Sequence, residues 1–312
     1  MQRLPPVIVI AGPTASGKSA LALELAAAFG GTIINADSLQ VYRDLPILSA
    51  QPDAAARARA PHRLYGYLDA AERNSAGQWR ELTLAEIGAV HKAGGLPFVV
   101  GGSGLYLRAL QQGLAAIPAI PPAIRAEAEE LHQALGTDAF REHLAKLDPV
   151  AAARLGDRQR LLRAYEVVRA TGVPIGQWQK GRADPAPYRF ATILLLPPRA
   201  ALYAACDARL LAMIAAGGLV EARALAARDL SAELPAMKAL GIPELLRHLR
   251  GEIALDAALA AAQQATRHYA KRQITWFRRQ VTPDLVLVEQ FLESLLHCSR
   301  HFIDQFLLTH RP

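Results

Sequence analysis

The chain is poor in cysteine, in aromatic residues and in long hydrophobic runs. Of its 312 residues, two are cysteines, Cys206 and Cys298, and 6% are aromatic. Two isolated thiols supply neither a disulfide framework nor a zinc site, which indicates a protein of the reducing cytoplasm. No uninterrupted apolar run reaches the roughly 18 residues of a membrane span, so we expect no membrane partner. Abundant alanine and few aromatics favour helices over a β-sandwich.

Acidic residues are scarce in two segments, and the whole chain carries a net charge of +7. Segment 154–182 has seven basic residues against two acids. Segment 257–283 has no acid and contains Arg267, Lys271, Arg272, Arg278 and Arg279 together with Tyr269, Trp276 and Phe277. Basic stretches interleaved with aromatics suit a nucleic-acid backbone with bases to stack upon. Solvated helix faces account equally well for the charge alone.

Short runs of β-branched residues alternate with helical patterns along the first hundred residues. In order, the patterns predict a strand at 7–10, a helix at 19–29, a strand at 32–35, a helix at 79–93, a strand at 97–100 and a helix from Leu105. The first run, Val-Ile-Val-Ile, is typical of a strand buried on both faces, and we interpret it as such and not as a signal peptide. This alternation predicts an α/β fold with a parallel sheet flanked by helices.

The pattern changes after the stiff segment 117–122, IPAIPP. Later patterns predict helices over 123–171 and within 200–280, strands at 190–196 and 285–288, and an amphipathic final helix at 290–312. We therefore predict an α/β core made of residues 1–116 and 186–312. Residues 117–185 are predicted to form a helical insertion domain.

One motif stands between the first predicted strand and the first predicted helix. It fits GxxxxGK(S/T) without a mismatch and consists of Gly12, Pro13, Thr14, Ala15, Ser16, Gly17, Lys18 and Ser19. Its glycines let backbone amides turn inward around an anion, and the helix N-terminus adds its positive dipole. Lys18 would place a charge on a terminal phosphate, and the Ser19 hydroxyl would bind Mg²⁺. The flanking strand and helix are the context that this loop requires, so the predicted fold is of the P-loop type.

The second acid of ATP-hydrolysing P-loop proteins has no counterpart in the sequence. Such proteins hold the metal with a carboxylate at the end of a buried strand. Here the strand at 97–100 ends in Gly-Gly-Ser-Gly. We therefore expect the loop to bind a diphosphate that leaves as a unit, and not a γ-phosphate that is transferred.

Three polar residues outside the loop are candidates for chemistry. Asp37 follows the second strand, where ligands of open α/β sheets bind, and is the candidate general base; capping of a following helix is an equal alternative. Ser103 lies in a glycine turn at another strand end, from which its hydroxyl would reach a phosphate or an amine, although such turns are common. Arg209, on a helix after the last main strand, would brace a phosphate or is simply solvated.

Six segments of the chain form a recognisable set: GPTASGKS (12–19), DSLQVYR (37–43), GGSGLY (101–106), DPVAAARL (148–155), QRLLRAYEV (159–167) and AKRQITWFR (270–278). Together they resemble the bacterial tRNA dimethylallyltransferases, also called tRNA isopentenyltransferases. The segments follow the family's order and approximate spacing, and the resemblance covers the chain from Val7 to about Val288. A GPTASGK loop followed closely by DSLQVY is far more specific than a phosphate-binding loop alone.

The resemblance implies transfer of a dimethylallyl group from its diphosphate to the N6 amine of the adenosine 3′-adjacent to the anticodon. The tRNAs concerned read codons beginning with U, diphosphate is released and Mg²⁺ assists. Lys18, Ser19 and Arg209 would hold the diphosphate, with Ser19 also on the metal. Asp37 matches the acid that takes the N6 proton, and Ser103 matches a hydroxyl that is usually threonine in the family. We expect the enzyme to be a monomer.

The resemblance also implies contacts with the anticodon stem-loop and with a flipped base. These residues are Asp37, Ser38, Leu39, Gln40, Ser103, Arg125, Gln159, Arg160, Leu161, Leu162 and Arg163. Two segments depart from the family pattern. Leu48–Pro52 stands where the family commonly has Gly-Thr-Ala-Lys-Pro, and Gly241–Glu244 replaces Gly-Tyr followed by a polar residue. We expect both departures to affect contacts with RNA and not the diphosphate site.

Two other classes of protein are compatible with the residues. A P-loop small-molecule kinase shares the loop and often has an acid at the end of the second strand; it would consume ATP. A non-enzymatic RNA-binding module would leave the intact Lys18–Ser19 pair without a purpose.

Overall fold

The structure is a computed structural model that describes residues 4–181, 184–289 and 293–309. The chain divides into two compact units, Met1–Gln111 with Ala186–Pro312, and Gln112–Pro185. The sequence-based boundaries are 116/117 and 185/186. Arg182 of the basic segment, and residues 290–292 and 310–312 of the predicted final helix, lie outside the described residues.

The first unit contains a parallel sheet. Its strands within the described residues are β1 (Pro6–Ala11), β2 (Thr32–Asn35), β3 (His62–Arg63), β4 (Pro97–Gly101), β5 (Arg189–Leu195) and β6 (Leu285–Leu287). They lie in the order β3-β2-β4-β1-β5-β6. β1 is central, since Val9 pairs with Val99 on one side and with Thr192 on the other. The predicted α/β fold with a parallel sheet is confirmed.

Thirteen α-helices lie in the described parts of both units. They are α1 (Lys18–Phe29), α2 (Ala54–Arg59), α3 (Ala76–Lys92), α4 (Gly104–Gln112), α5 (Pro122–Ala145), α6 (Pro149–Arg154), α7 (Arg158–Thr171), α8 (Ile175–Trp178), α9 (Arg199–Met213), α10 (Leu219–Ala226), α11 (Ile242–Leu249), α12 (Leu255–Gln280) and α13 (Glu293–Leu308). A π-helical turn at Ile214–Gly218 joins α9 to α10. α1 ends as predicted at Gly30, whose φ of 58° lies in the left-handed region that favours glycine.

Both faces of the sheet are covered, as expected for a parallel sheet. On one face, Ile8 and Ile10 of β1 pack in a cluster with Leu21 of α1 and Ile303 of α13. On the other face, the cluster with Val7 and Val9 contains Trp79 of α3, Leu107 of α4 and Phe277 of α12. The alternating residues of β1 thus supply both cores, which explains the unbroken β-branched run.

The final helix α13 is part of the core of the first unit. Ile303 is fully buried in the cluster beneath the sheet. Arg189 of β5 donates a hydrogen bond from Nη2 to the carbonyl of Phe306 at 2.7 Å, and its guanidinium lies 3.7 Å from the centre of the Phe306 ring. The amphipathic helix predicted from the sequence is therefore a cover for the sheet.

One helical stretch within the described residues, Arg199–Ala226, is long and apolar enough to cross a membrane by length and composition. The π-helical turn interrupts it, and Gly217 there has a non-helical φ of 103°. It also carries Arg209 and Glu221, whose side chains hydrogen-bond to Thr14 and to the backbone of residues 47 and 48. The expected absence of a membrane partner stays a prediction.

The second unit contains α5 to α8, so the helices predicted over 123–171 are found. Its core joins Phe140 and Leu144 of α5 to Leu161 and Tyr165 of α7. Asp148 is buried and accepts hydrogen bonds from two backbone amides, that of Ala151 in α6 at 2.9 Å and that of Ile175 in α8 at 3.2 Å. The carboxylate of Asp148 thereby holds the two short helices α6 and α8 together.

Candidate active site

The phosphate-binding loop has the tight curvature that its glycines permit. Ala15 and Gly17 both have left-handed backbones, with φ of 61° and 88°. A Cβ atom added to Gly12 would lie 2.7 Å from the Ser16 hydroxyl and 2.8 Å from the Leu195 carbonyl, so only glycine fits there. The loop leads directly into the N-terminus of α1, which begins at Lys18. Backbone amides and the helix dipole are thus present where an anion would bind.

Two cations lie at this loop. Lys18 is buried, and its Nζ donates to the Pro13 carbonyl at 3.4 Å. Arg209 of α9 donates to the hydroxyl of Thr14. Burial lowers the pKa of Lys18 to about 8, with the positive charge of Arg209 adding to the shift and the carboxylate of Asp37 opposing it. Burial also lowers the pKa of Arg209.

Asp37 follows β2 and closes a turn. Its Oδ1 accepts a hydrogen bond from the Leu39 amide at 3.0 Å, and its own amide donates to Asn35 Oδ1 at 2.8 Å. Oδ2 accepts no hydrogen bond from the described residues. The chain after Asp37 forms turns, and the next helix in the structure begins at Ala54. The alternative that Asp37 caps a following helix is therefore wrong.

Ser103 connects the end of β4 to the end of β2. Its hydroxyl accepts from the Ser38 amide at 2.9 Å and lies 3.2 Å from the Ser38 hydroxyl. Its amide donates to the Ala36 carbonyl at 3.2 Å. A Cβ atom on Gly101 would lie 2.1 Å from the same carbonyl, so β4 cannot end in a carboxylate without moving β2. In this structure an acid therefore does not fit at position 101.

The loop, α9 and the segment after β2 surround one cavity. The polar residues that line it include Thr14, Lys18, Ser19, Asp37 and Arg209. The apolar residues that line it include Leu39, Leu48, Leu210, Met213 and Leu240. Two cations against one carboxylate give the lining a positive charge, and the apolar side chains offer hydrocarbon contact. Such a cavity suits a ligand with an anionic head and a small apolar part.

The segment that departs from the family pattern lies in this cavity. Leu48, Ser49 and Ala50 line it together with Lys18. Glu221 of α10 fixes the segment, because its carboxylate accepts from the amides of Ile47 and Leu48 at 2.7 and 2.8 Å. Burial raises the pKa of Glu221, and these two hydrogen bonds oppose that shift. The expectation that the departure at 48–52 affects RNA contacts and not the diphosphate site stays a prediction, although residues 48–50 line the same cavity as Lys18.

The side chain of Gln40 also holds this segment by hydrogen bonds. Its Nε2 donates to the carbonyls of Ser49 and Ala50 at 3.0 and 2.6 Å, while the residue lines the cavity. A contact between Gln40 and a base would have to use its side-chain oxygen. Ser38 and Ser103 are hydrogen-bonded to each other beside this cavity.

Sequence reasoning missed two residues of the site that lie on α12. Tyr269 lines the cavity, and burial raises its pKa, so its phenol stays protonated. Gln273 is buried and hydrogen-bonds to both the phosphate-binding loop and the turn after β4. Its helical spacing from Ala270 and Phe277, both fully buried, was the available signal, since it places a polar residue on the inner face of the helix.

The predicted RNA contacts of the second unit divide into two groups. Arg125, Gln159 and Arg160 are exposed, and Arg160 forms an ion pair with Asp157 at 3.2 Å. Arg163 is partly buried and pairs with Glu166 at 3.2 Å. Leu161 and Leu162 are buried in the core of the unit. The prediction that these two leucines form part of an RNA surface is wrong for their side chains, because α7 turns them inward.

The residues of the cavity fit a magnesium ion that takes most of its ligands from a diphosphate and from water. Ser19 and Asp37 line the same cavity and offer a hydroxyl and a carboxylate. Within the described parts of the chain, no group of three or more His, Cys, Asp or Glu residues is placed to hold a metal. Mg²⁺ commonly binds through one or two protein oxygens together with substrate phosphates.

Fold and cavity together define a P-loop α/β protein with a site for an anionic ligand that has an apolar part. A family model described as IPP transferase matches residues 40–280, and one described as isopentenyl transferase matches residues 5–73. The chain belongs to the IPP transferase family. The family predicted from the six sequence segments is confirmed.

Relatives and solved structures agree with this assignment. The chain is 61% identical over 280 residues to the tRNA dimethylallyltransferase of Rhodospirillum centenum, which covers 88% of this chain and 89% of that protein. The corresponding enzyme of Rhodospirillum rubrum is 54% identical over 312 residues, covering 97% and 96%. The crystal structure of the Bacillus halodurans tRNA isopentenylpyrophosphate transferase matches with a TM-score of 0.71, 29% identity, and coverage of 99% of this chain and 100% of that chain. A eukaryotic dimethylallyltransferase acting on tRNA matches with a TM-score of 0.84, 26% identity, and coverage of 99% and 80%.

Proposed function

We propose that this enzyme transfers a dimethylallyl group from dimethylallyl diphosphate to tRNA. The acceptor is the N6 amine of the adenosine 3′-adjacent to the anticodon, in tRNAs that read codons beginning with U. One observation carries the proposal: Lys18, Arg209 and Asp37 line a single cavity whose lining also includes apolar side chains. Relatives that are 61% and 54% identical and are named tRNA dimethylallyltransferase support the same reaction.

The cavity offers what this reaction requires at each reacting group. The bond between the allylic carbon and the diphosphate oxygen breaks, and its electron pair leaves with the diphosphate. Lys18, Arg209 and the loop amides stabilise that leaving charge. A new bond joins the allylic carbon to N6, and Asp37 takes the N6 proton through its free Oδ2.

Magnesium would be held by the Ser19 hydroxyl and by oxygens of the diphosphate. The ion would neutralise part of the charge that develops on the leaving group. Lys18 and Arg209 supply the rest of that neutralisation from the protein. Because Ser19 lies at the start of α1, the helix dipole adds to it.

Exposed cations support RNA as the acceptor. On α12, Lys271, Arg272, Arg278 and Arg279 are exposed and form no ion pair with any acid among the described residues. In the second unit, exposed Arg125 is likewise without such a partner there. Cations without acid partners are available to phosphates.

Ser38, Leu39 and Gln40 adjoin the proposed base, Asp37, and would contact the flipped adenine. We propose the anticodon stem-loop as the partner, the cytoplasm as the compartment and a monomer as the active form.

A small-molecule kinase is the alternative that shares the loop. It requires a second metal-binding acid at the end of β4, where Gly101 leaves no room for a side chain. A non-enzymatic RNA-binding module gives no purpose to the buried Lys18. Both alternatives are therefore weaker than prenyl transfer.

A single labelling assay tests the proposal. The protein is incubated with labelled dimethylallyl diphosphate, Mg²⁺ and unmodified tRNA that reads a codon beginning with U. We expect label in this RNA and none in a matched tRNA with guanosine at the position 3′-adjacent to the anticodon. ADP formed from ATP without label transfer would support the kinase. Tight RNA binding without either product would support the binding module.

A further inference from the structure

Gln273 of α12 lies between the phosphate-binding loop and the turn that follows β4. Its Oε1 accepts a hydrogen bond from the Thr14 amide at 2.8 Å, and its Nε2 donates to the Gly102 carbonyl at 2.9 Å. Gln273 is 6% exposed. One buried carboxamide therefore joins the phosphate-binding loop to the turn that follows β4.

The connection continues to Asp37. Gly102 is followed by Ser103, whose hydroxyl accepts from the Ser38 amide at 2.9 Å and whose amide donates to the Ala36 carbonyl at 3.2 Å. These bonds hold the residues on either side of Asp37. A short path of hydrogen bonds thus runs from the loop, through Gln273 and Ser103, to the segment that carries the carboxylate.

The turn after β4 and the start of α4 lie close against α12. A Cβ atom on Gly102 would lie 2.5 Å from the Nε2 of Gln273, and one on Gly104 would lie 2.3 Å from the Trp276 ring. The glycines of this turn therefore allow α12 to approach closely. The position of Ser103 is set by that contact as well as by the hydrogen bond from Gln273.

We propose that Gln273 is a positioning residue that fixes the distance between the phosphate-binding loop and the proton acceptor, Asp37. The proposal rests on the function proposed above. Gln273 is outside the cavity lining and acts through Thr14 and Gly102. Glutamine suits this place because its carboxamide accepts from one backbone and donates to the other, which neither glutamate in its ionised form nor methionine does. A displacement of about 1 Å between reacting groups costs about 10²-fold in turnover.

Two substitutions of similar size separate positioning from simple packing. Gln273→Met keeps the volume and loses both hydrogen bonds; we expect turnover to fall by about 10²-fold in protein that is folded by circular dichroism. In Gln273→Glu the carboxylate can still accept the hydrogen bond from the Thr14 amide. When it is ionised, its second oxygen faces the Gly102 carbonyl as another acceptor, so no hydrogen bond forms there. Burial and that carbonyl raise the pKa of such a glutamate, and its protonated form donates again. We expect the turnover of Gln273→Glu relative to wild type to recover by about tenfold as the pH falls from about 8 to about 6.

The matched control is Gln263→Met on the same helix. Gln263 is partly buried and donates to the Asp207 carbonyl at 3.4 Å, away from both loops. We expect its turnover to stay within about twofold of wild type, as for an ordinary substitution away from the site. A Gln273→Met enzyme that is folded and equally active, or a Gln273→Glu profile parallel to that of wild type, overturns the proposal.

Hydrogen exchange gives a readout that does not depend on activity. In Gln273→Met the amides of Thr14, Ser38 and Ser103 should exchange at least about tenfold faster than in wild type, and in Gln263→Met they should not. Unchanged exchange at all three amides contradicts the proposed coupling, including the case in which Gln273→Met is inactive. If wild type itself labels no tRNA, the proposed function fails while this measurement still decides the role of Gln273.

Discussion

At the scale of single residues, the two oxygens of Asp37 have different surroundings. Oδ1 accepts from the Leu39 amide and so holds the turn, while Oδ2 accepts no hydrogen bond from the described residues. An amide side chain would retain the first contact through its oxygen and lose the basic second oxygen. Asp37→Asn therefore separates proton transfer from the folding of the turn.

We expect Asp37→Asn to lower turnover by about 10²–10⁴-fold, the usual effect of losing a general base, with tRNA affinity nearly unchanged. Single-turnover label transfer measures the first quantity and filter binding the second. Asp53→Asn is the control, since Asp53 likewise accepts a backbone amide, that of Ala56 at 2.8 Å. Equal turnover in Asp37→Asn and wild type would remove Asp37 from the mechanism.

Lys18 gives a prediction about pH. Its pKa is lowered to about 8, so the free protein loses this charge as the pH rises above that value. A diphosphate binds the protonated lysine, so binding must then take up a proton, and its affinity should fall about tenfold per pH unit above about pH 8.

Lys18→Arg is the comparison, because arginine stays charged throughout. Calorimetry with inorganic diphosphate from about pH 7 to about pH 9.5, a range that spans the pKa of Lys18, should show the steeper fall in affinity for wild type. The diphosphate also titrates with pH, but it does so equally with both proteins, so the difference between the two affinity curves comes from residue 18. Parallel curves would mean that Lys18 keeps its proton over this whole range.

At the scale of secondary-structure elements, α12 has two unlike faces. Its inner face holds Gln273 and Phe277, both buried, and its outer face holds the exposed Lys271 and Arg278 one heptad apart. Exposed basic residues elsewhere are often paired, as Arg247 and Arg250 are with Glu252 at 3.3 and 2.6 Å. The outer face of α12 is therefore the better candidate for phosphate contacts.

Replacing both Lys271 and Arg278 by glutamine should weaken tRNA binding and reduce the slope of log affinity against log salt by about 1.5. Arg247→Gln with Arg250→Gln removes the same charge from paired residues and should leave the slope nearly unchanged. Binding isotherms at several salt concentrations decide between these outcomes. For Arg160 and Arg163, the ion pairs with Asp157 and Glu166 lead us to expect a smaller change.

At the scale of the whole molecule, the sheet topology explains why distant residues meet. β1, β2 and β4 are parallel neighbours, so the segments that follow them emerge at one edge of the sheet. That edge receives Lys18, Asp37 and Ser103. β5 pairs with β1 on its other side and leads to α9, which brings Arg209 to the loop.

Local patterns were sufficient for this framework. β2 was predicted at its observed bounds, 32–35, because strands buried on both faces and helices next to glycine loops have local signatures. β3 was not predicted, since two residues contain no pattern. The contacts of Gln273 join residues 171 and 259 positions apart, and no local pattern shows such a pairing.

The C-terminal helix α13 gives a prediction for the stability of the whole first unit. Ile303 is fully buried against residues of β1 and α1, nearly 300 positions earlier in the chain, and lines no part of the cavity. Ile303→Ala should lower the free energy of unfolding by about 2–5 kcal/mol, the usual cost of a large cavity in a core. Turnover of the folded enzyme should be unchanged, because the substitution lies on the face of the sheet opposite to α12.

Leu308→Ala is the matched control, since Leu308 belongs to the same helix and is 55% exposed. Its effect on unfolding should stay within about 0.5 kcal/mol. Urea unfolding followed by circular dichroism compares the two variants with wild type. Equal stability of Ile303→Ala and Leu308→Ala would show that α13 is not packed on the sheet in solution, and the core would then end with β6.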